Sequence, residues 1–152
     1  MSRLVVGSLL VGGAMLAAGC GGGGGGGGER LSLEELITQA DAICAKYEEQ
    51  LNALETPQSL EDVERLAEEG KPIVEEGVNE LKALEPPEDL EDEWDKLMEQ
   101  NDANVALIDE LSEAAASGDQ ARVQEVAAEA QRQDEETDQL AREIGLEECS
   151  ND

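Results

Sequence analysis

The side chains of this sequence with the strongest covalent chemistry are three thiols, Cys20, Cys44 and Cys149, in a chain of 152 residues that contains no histidine. A thiolate can attack a carbonyl, hold a metal, carry a lipid or pair with another thiol. Nucleophilic catalysis needs a base beside the nucleophile, and the commonest one is missing. A closed zinc centre takes about four nitrogen or sulfur ligands, more than this chain offers. The serines after position 28, namely Ser32, Ser59, Ser112, Ser117 and Ser150, fall mostly where helices are expected to begin or end and read as architecture. Carboxylate pairs are frequent only because the chain is so acidic, and a di-iron bundle would require Glu-x-x-His. The expectation is a protein that is not an enzyme and holds no cofactor or metal.

The three sulfurs differ in their surroundings. Ahead of Cys20, Arg3 supplies a positive charge and Leu4 to Leu16 form an apolar stretch broken by Gly7, Gly12 and Gly13, the layout of an export signal. The stretch is shorter than the roughly 20 apolar residues that cross a bilayer. Leu16-Ala17-Ala18-Gly19-Cys20 resembles the lipobox of bacterial lipoproteins, with Ala17 where a leucine is usual and Leu16 one place further out. The resemblance implies cleavage before Cys20 and a diacylglyceryl group on its sulfur. Two acyl chains anchor stably where one binds only marginally. The competing reading is an ordinary cleaved secretory peptide with an incidental cysteine.

Residues 1–19 are therefore expected to be a lipoprotein signal peptide. Residues 20–28 would be a lipidated Cys20 followed by a flexible glycine linker, since glycine brings no packing and the largest backbone entropy. Eight such residues have an r.m.s. span of roughly 16 Å and a stretched limit of about 28 Å. The domain would sit close to the extracytoplasmic face of the cell membrane, periplasmic or cell-surface side. No strand precedes the glycines and no Gly-Lys-Ser/Thr follows them, which argues against a phosphate-binding loop.

Residues 29–152 form one domain, long enough to bury a core. All 38 acidic residues lie here, and of the ten basic residues only Arg3 lies outside, so nine remain. Such a surface repels nucleic acid and anionic lipid headgroups and favours a cationic or neutral partner. Acidity with few aromatics also suits a disordered chain, but the apolar pattern contradicts that. Leu33, Leu36, Ile37, Ala40, Ile43, Cys44, Tyr47, Leu51 and Leu54 recur at helical steps behind a capping box at Ser32 and Glu35. A second helix follows a cap at Ser59 and Asp62, with a stripe from Leu60 to Leu84; Pro72 near Gly70 predicts a kink or restart, and the apolar register, which runs through without slipping, favours the kink.

Pro86 and Pro87 end that helix. A third runs from about Glu88 with Leu90, Trp94, Leu97, Met98, Val105, Ile108, Leu111 and Ala115 on one face. Asp119 caps a fourth, striped by Val123, Val126, Ala127, Ala130, Thr137, Leu140, Ala141 and Ile144 and stopped at Gly145. Four amphipathic helices with short loops predict an all-α, antiparallel up-and-down four-helix bundle. In an oxidising compartment Cys44 and Cys149 most simply form a disulfide, with two free buried thiols as the alternative. Closing a loop of that size stabilises by at most about 4.7 kcal/mol in the chain-entropy account. The residues from Leu146 to Glu148 would have to fold back along helix one.

Ala40-Asp41-Ala42-Ile43-Cys44, Leu84-Glu85-Pro86-Pro87, Ser117-Gly118-Asp119 and Gly145-Leu146-Glu147-Glu148-Cys149 together resemble a group of small exported actinobacterial helical proteins and lipoproteins of uncharacterised function. The resemblance implies a bundle with a stapled C-terminus and no activity.

One polar constellation interrupts the stripes: Asn101 on helix three, and Gln133, Asp134 and Thr137 on helix four. Facing one another they would make a hydrogen-bonded pocket or a layer that fixes helix register. The acidic runs 88–93 and 134–138 could collect Ca²⁺ loosely but lack the spacing of an EF-hand. The expected function is a non-catalytic interaction or scaffold module of the cell envelope, with the lipid bilayer as one partner through acylated Cys20 and an envelope protein as another. The alternative is an envelope binding protein for divalent cations or a small cationic ligand.

Overall fold

The computed structural model describes residues 30–150. Residues 1–29, which include the expected signal peptide, Cys20 and the expected glycine linker, and residues 151–152 lie outside the described residues. Four long helices follow in order: α1 over Leu33–Asn52, α2 over Leu60–Lys82, α3 over Glu91–Ala116 and α4 over Gln120–Ile144, with a short 3-10 turn at Glu88–Leu90 leading into α3. Among the described residues there is no strand. The four helices pack against one another, α3 against both α2 and α4, and α1 against α2. None of them is long and apolar enough to cross a membrane.

Three of the four helices, α1, α2 and α4, begin where a side chain satisfies otherwise unpaired N–H groups, whereas α3 continues from the 3-10 turn with no side-chain cap. Ser32 Oγ accepts from Glu35 N at 3.3 Å, and the Glu35 carboxylate accepts from Ser32 N at 3.0 Å, the reciprocal box that the pattern predicts. These bonds favour the ionised carboxylate and hold Glu35 below its ordinary pKa, Ser32's side chain first and its backbone second. At α2 the Ser59 hydroxyl accepts from Asp62 N at 3.1 Å, while Asp62 reaches back one residue further, to Gln58 N. Asp119 Oδ1 accepts from Arg122 N at 3.0 Å and starts α4.

Pro72 neither breaks nor restarts α2, which runs as one helix from Leu60 to Lys82. The ring leaves the Glu68 carbonyl without its helical donor. Both residues are exposed, so water can serve that carbonyl and the packing of the apolar face carries the helix through. Leu33, expected on the inner stripe, is 46% exposed, because it is the first residue of α1 and lies beyond the packed part of the helix. Ala127 is exposed too; the inner face of α4 steps from Val126 to Ala130 and leaves it outside.

The large buried side chains concentrate in one place. Leu36 and Ala40 of α1, Leu81 of α2, Trp94, Leu97 and Met98 of α3, Ala141 and Ile144 of α4, and Leu146 beyond it form a single cluster. Burying one Leu of this kind stabilises by about 1.5–3 kcal/mol. Leu31 N also donates to Glu85 O at 2.9 Å, tying the entry of α1 to the turn that follows α2.

Gly145 ends α4 with φ 97°, a left-handed conformation that suits glycine. Its N–H donates to Ala141 O at 3.0 Å, and Leu146 N donates to the same carbonyl at 2.9 Å. This reverses the chain and drops Leu146, 1% exposed, into the core. The tail then continues along α1, where Glu148 N donates to Asp41 Oδ1 at 3.1 Å.

Candidate functional site

Cys44 and Cys149 are bonded, with their Cα atoms 5.1 Å apart across 105 positions of sequence. The reversal at Gly145 makes this possible, since Cys44 sits three turns into α1 and the tail must travel back to meet it. Ser150 secures the last turn of the tail, its hydroxyl lying 3.1 Å from the Leu146 carbonyl. Three of the other serines are similarly occupied: Ser32 and Ser59 in caps, and Ser117 donating to Ala114 O at 2.9 Å.

The polar constellation forms, with one change of membership. Asp134 and Thr137 of α4 meet Asn104 and Gln100 of α3, not Asn101. Asn104 Nδ2 donates to Asp134 Oδ1 at 3.2 Å and to Thr137 Oγ1 at 3.4 Å. Thr137 Oγ1 lies 2.8 Å from Gln133 O and 3.3 Å from Gln100 Oε1. A hydroxyl has one proton, and the shorter contact claims it. Gln133 thus contributes its backbone carbonyl. The Asn104 Oδ1 atom is buried without a protein hydrogen-bond partner. Asp134 is held above its ordinary pKa, first by desolvation and then by the neighbouring charge of Asp138.

Asn101 bonds only within its own helix, Nδ2 to Leu97 O at 2.9 Å, and lines a different cavity. The sequence pattern placed it wrongly because α3 is packed on two sides. A single stripe describes a helix with one buried face, whereas α3 turns Met98 and Asn101 one way and Gln100 and Asn104, four residues apart, towards α4. The i, i+4 pairing of two amides was the available signal.

That second cavity is an open cleft of about 200 Å³ lined by α1, α2, Asn101 of α3 and the two bonded cysteines. Ile43, Leu51, Val74, Val78 and Leu81 line it, with Glu48 and Glu148 at its edge. Its wall includes Tyr47, whose ring lies flat on α2 because Gly77 has no side chain: a Cβ there would stand 3.0 Å from the ring. The Tyr47 hydroxyl donates to Glu80 Oε1 at 2.7 Å, and Lys46 Nζ reaches both, at 3.0 and 2.8 Å. This clamp joins α1 to α2. It raises the Lys46 pKa, chiefly through Glu80, and lowers that of Glu80, chiefly through Lys46, while desolvation is the main cause of the raised Tyr47 pKa.

Among the described residues no three metal-binding side chains are placed to share an ion. The Cys20 assignment lies outside the described residues. Compared with protein-family models, curated proteins and solved structures, the chain matches none.

Proposed function

We propose that the chain is a membrane-anchored lipoprotein of the cell envelope, on the extracytoplasmic face, whose helical domain acts as a non-catalytic interaction or scaffold module. In this reading residues 1–19 are removed, Cys20 carries the lipid and the glycine linker holds the domain near the bilayer. The four helices run alternately up and down. Support for that topology is the single core shared by the start of α1, the end of α2, the start of α3 and the end of α4.

The observation that carries the proposal is the Cys44–Cys149 bond. Structural disulfides persist in oxidising compartments and are rare in the cytosol, so a stapled domain agrees with the destination that the N-terminal signal specifies. Side chains with chemistry are used in construction, Cys44 and Cys149 on each other and Ser32, Ser59, Ser117 and Ser150 on backbone groups. What remains for a partner is a dense carboxylate surface on all four helices, suited to cationic or neutral proteins.

Two measurements in native cells test this. Mass spectrometry of the N-terminal peptide is expected to show cleavage before Cys20 and a diacylglyceryl thioether; an unmodified N-terminus, or recovery in the cytosolic fraction, refutes the anchor. Photocrosslinkers at the exposed Gln124 and Gln139 of α4 are expected to give a discrete protein adduct that is lost in a Cys20→Ala variant. Identical adducts from the anchored and unanchored chain would refute an envelope module that depends on its position.

A further inference from the structure

The slot beside the staple has two chemically distinct parts, and their order is what a ligand would read. Its aliphatic wall is formed by Ile43, Leu51, Val74, Val78 and Leu81, with Tyr47, Asn101 and the disulfide completing the lining. Glu48 and Glu148 lie at the boundary, and both also line a second, outer cleft together with Glu49 and Asn52. The two clefts therefore adjoin at Glu48 and Glu148, so that an aliphatic wall lies beside a mouth of three exposed carboxylates, Glu48, Glu49 and Glu148. Neither half alone is unusual in so acidic a protein. Their junction is the feature, because two carboxylates, Glu48 and Glu49, come from α1 and the third, Glu148, from the tail that the staple holds in place.

We infer that this slot is a binding site for a short-chain aliphatic ammonium ion, its alkyl part in the pocket and its charged head among Glu48, Glu49 and Glu148. Size agrees with the assignment: the cleft, about 200 Å³ and open to solvent, has room along its aliphatic wall for an alkyl chain of roughly six carbons. Charge complementarity fixes the other end of the ligand. A domain with 38 acidic and nine basic residues concentrates cations at its surface, and only a cation with an apolar tail gains from the pocket as well. An anion would meet three carboxylates, and a neutral alcohol would leave the mouth unused. Glu148 reaches the mouth only because Cys149 is tied to Cys44 and Glu148 N is held by Asp41, so the site depends on the oxidised staple. The inference is independent of the envelope-module reading, since ligand binding can fail while partner capture persists.

The test uses the complete chain with Cys20→Ser, secreted and oxidised, titrated with n-hexylammonium and followed by calorimetry and methyl NMR. Saturable one-to-one binding is expected, with shifts centred on Leu51, Val74 and Val78. Shortening the ligand should weaken it by about fourfold per methylene. The probes 1-hexanol and methylammonium should each bind at least about tenfold more weakly. A Glu48→Gln/Glu148→Gln variant, altered only at exposed positions, should lose the preference for hexylammonium over hexanol while keeping hexanol affinity. Three results would overturn the inference: no saturable binding, equal affinity for methylammonium and hexylammonium, or shifts scattered over the acidic helix faces. The first two leave only counter-ion condensation on a charged surface. Reduction of the staple should abolish binding in protein that circular dichroism shows to be still helical; retained affinity would remove the tail from the site.

Discussion

The region around the staple and the region around the α3–α4 turn share α2, α3 and α4 but are built by different means. Near the staple the interior holds Leu36, Leu81, Trp94, Leu97, Met98, Ile144 and Leu146. Near the turn the buried apolar residues are Ala67, Ala114, Ala115 and Val126, while Leu60, Leu66, Ile108 and Leu111 are only half-buried. The layer of Gln100, Asn104 and Thr137 falls between the two along α3 and α4. Large side chains need helices held apart at a fixed spacing, and small ones let backbones approach with less area to bury. Stability is thus expected to be concentrated where the covalent bond is, with the opposite region opening first in native-state hydrogen exchange.

The largest test of that contrast is removal of the bond. A Cys44→Ser/Cys149→Ser variant is expected to lose about 2–5 kcal/mol in urea denaturation. If the loss is negligible, the core holds the tail without help and the staple is not what separates the regions. Truncation should then discriminate: Leu36→Ala, at a site with 0% exposure, is expected to cost about 3 kcal/mol, and Val126→Ala, at 2% exposure near the turn, about 2 kcal/mol. Equal costs would erase the contrast.

The two buried glycines of α2 sharpen it further, because they should respond with opposite sign. At Gly70 a new Cβ would find Leu54 at 3.6 Å, an ordinary contact, so Gly70→Ala is expected to stabilise by about 1 kcal/mol through backbone entropy. At Gly77 the Tyr47 ring stands in the way, and Gly77→Ala is expected to destabilise by about 1 kcal/mol after the same gain is offset by overpacking. Melting curves of the pair decide, and matching signs would mean that Tyr47 moves freely.

The smallest effect concerns the layer between the regions. The pKa of Asp134 is raised in the fold, so its ionisation opposes folding. Its contribution is most favourable below the ordinary carboxylate pKa of 3.8 and diminishes as pH rises through the folded value. Asp134→Asn, which keeps an acceptor for Asn104, is therefore expected to stabilise at neutral pH by an amount that vanishes in acid. A difference independent of pH would assign the effect to something other than charge.

Much of this was legible in the residues. Helix starts followed from Ser32, Ser59 and Asp119, the end of α4 from Gly145, and the pairing of Cys44 with Cys149 from their number and surroundings. Periodicity reports which residues share a face, and it located three of the four helices' inner surfaces well. It could not report that α3 has two such faces, which is why Asn101 stood in for Asn104. Nor could it show that Gly77 seats a tyrosine ring, which depends on how α1 lies on α2, or that Glu48 and Glu148 line one cleft, which depends on where the tail runs after Gly145. Such contacts are set by the positions of helices relative to one another, and no local pattern encodes those.

The cross-link also decides how the molecule bears tension. Traction between an anchored N-terminus and a grip on the C-terminus would run from Arg30 to Cys44, cross the sulfurs and leave through the last few residues. The 104 residues between the two sulfurs would carry none of it. Oxidised, the protein behaves as a short inextensible strap with a folded load-free loop; reduced, it becomes a spring that can unravel.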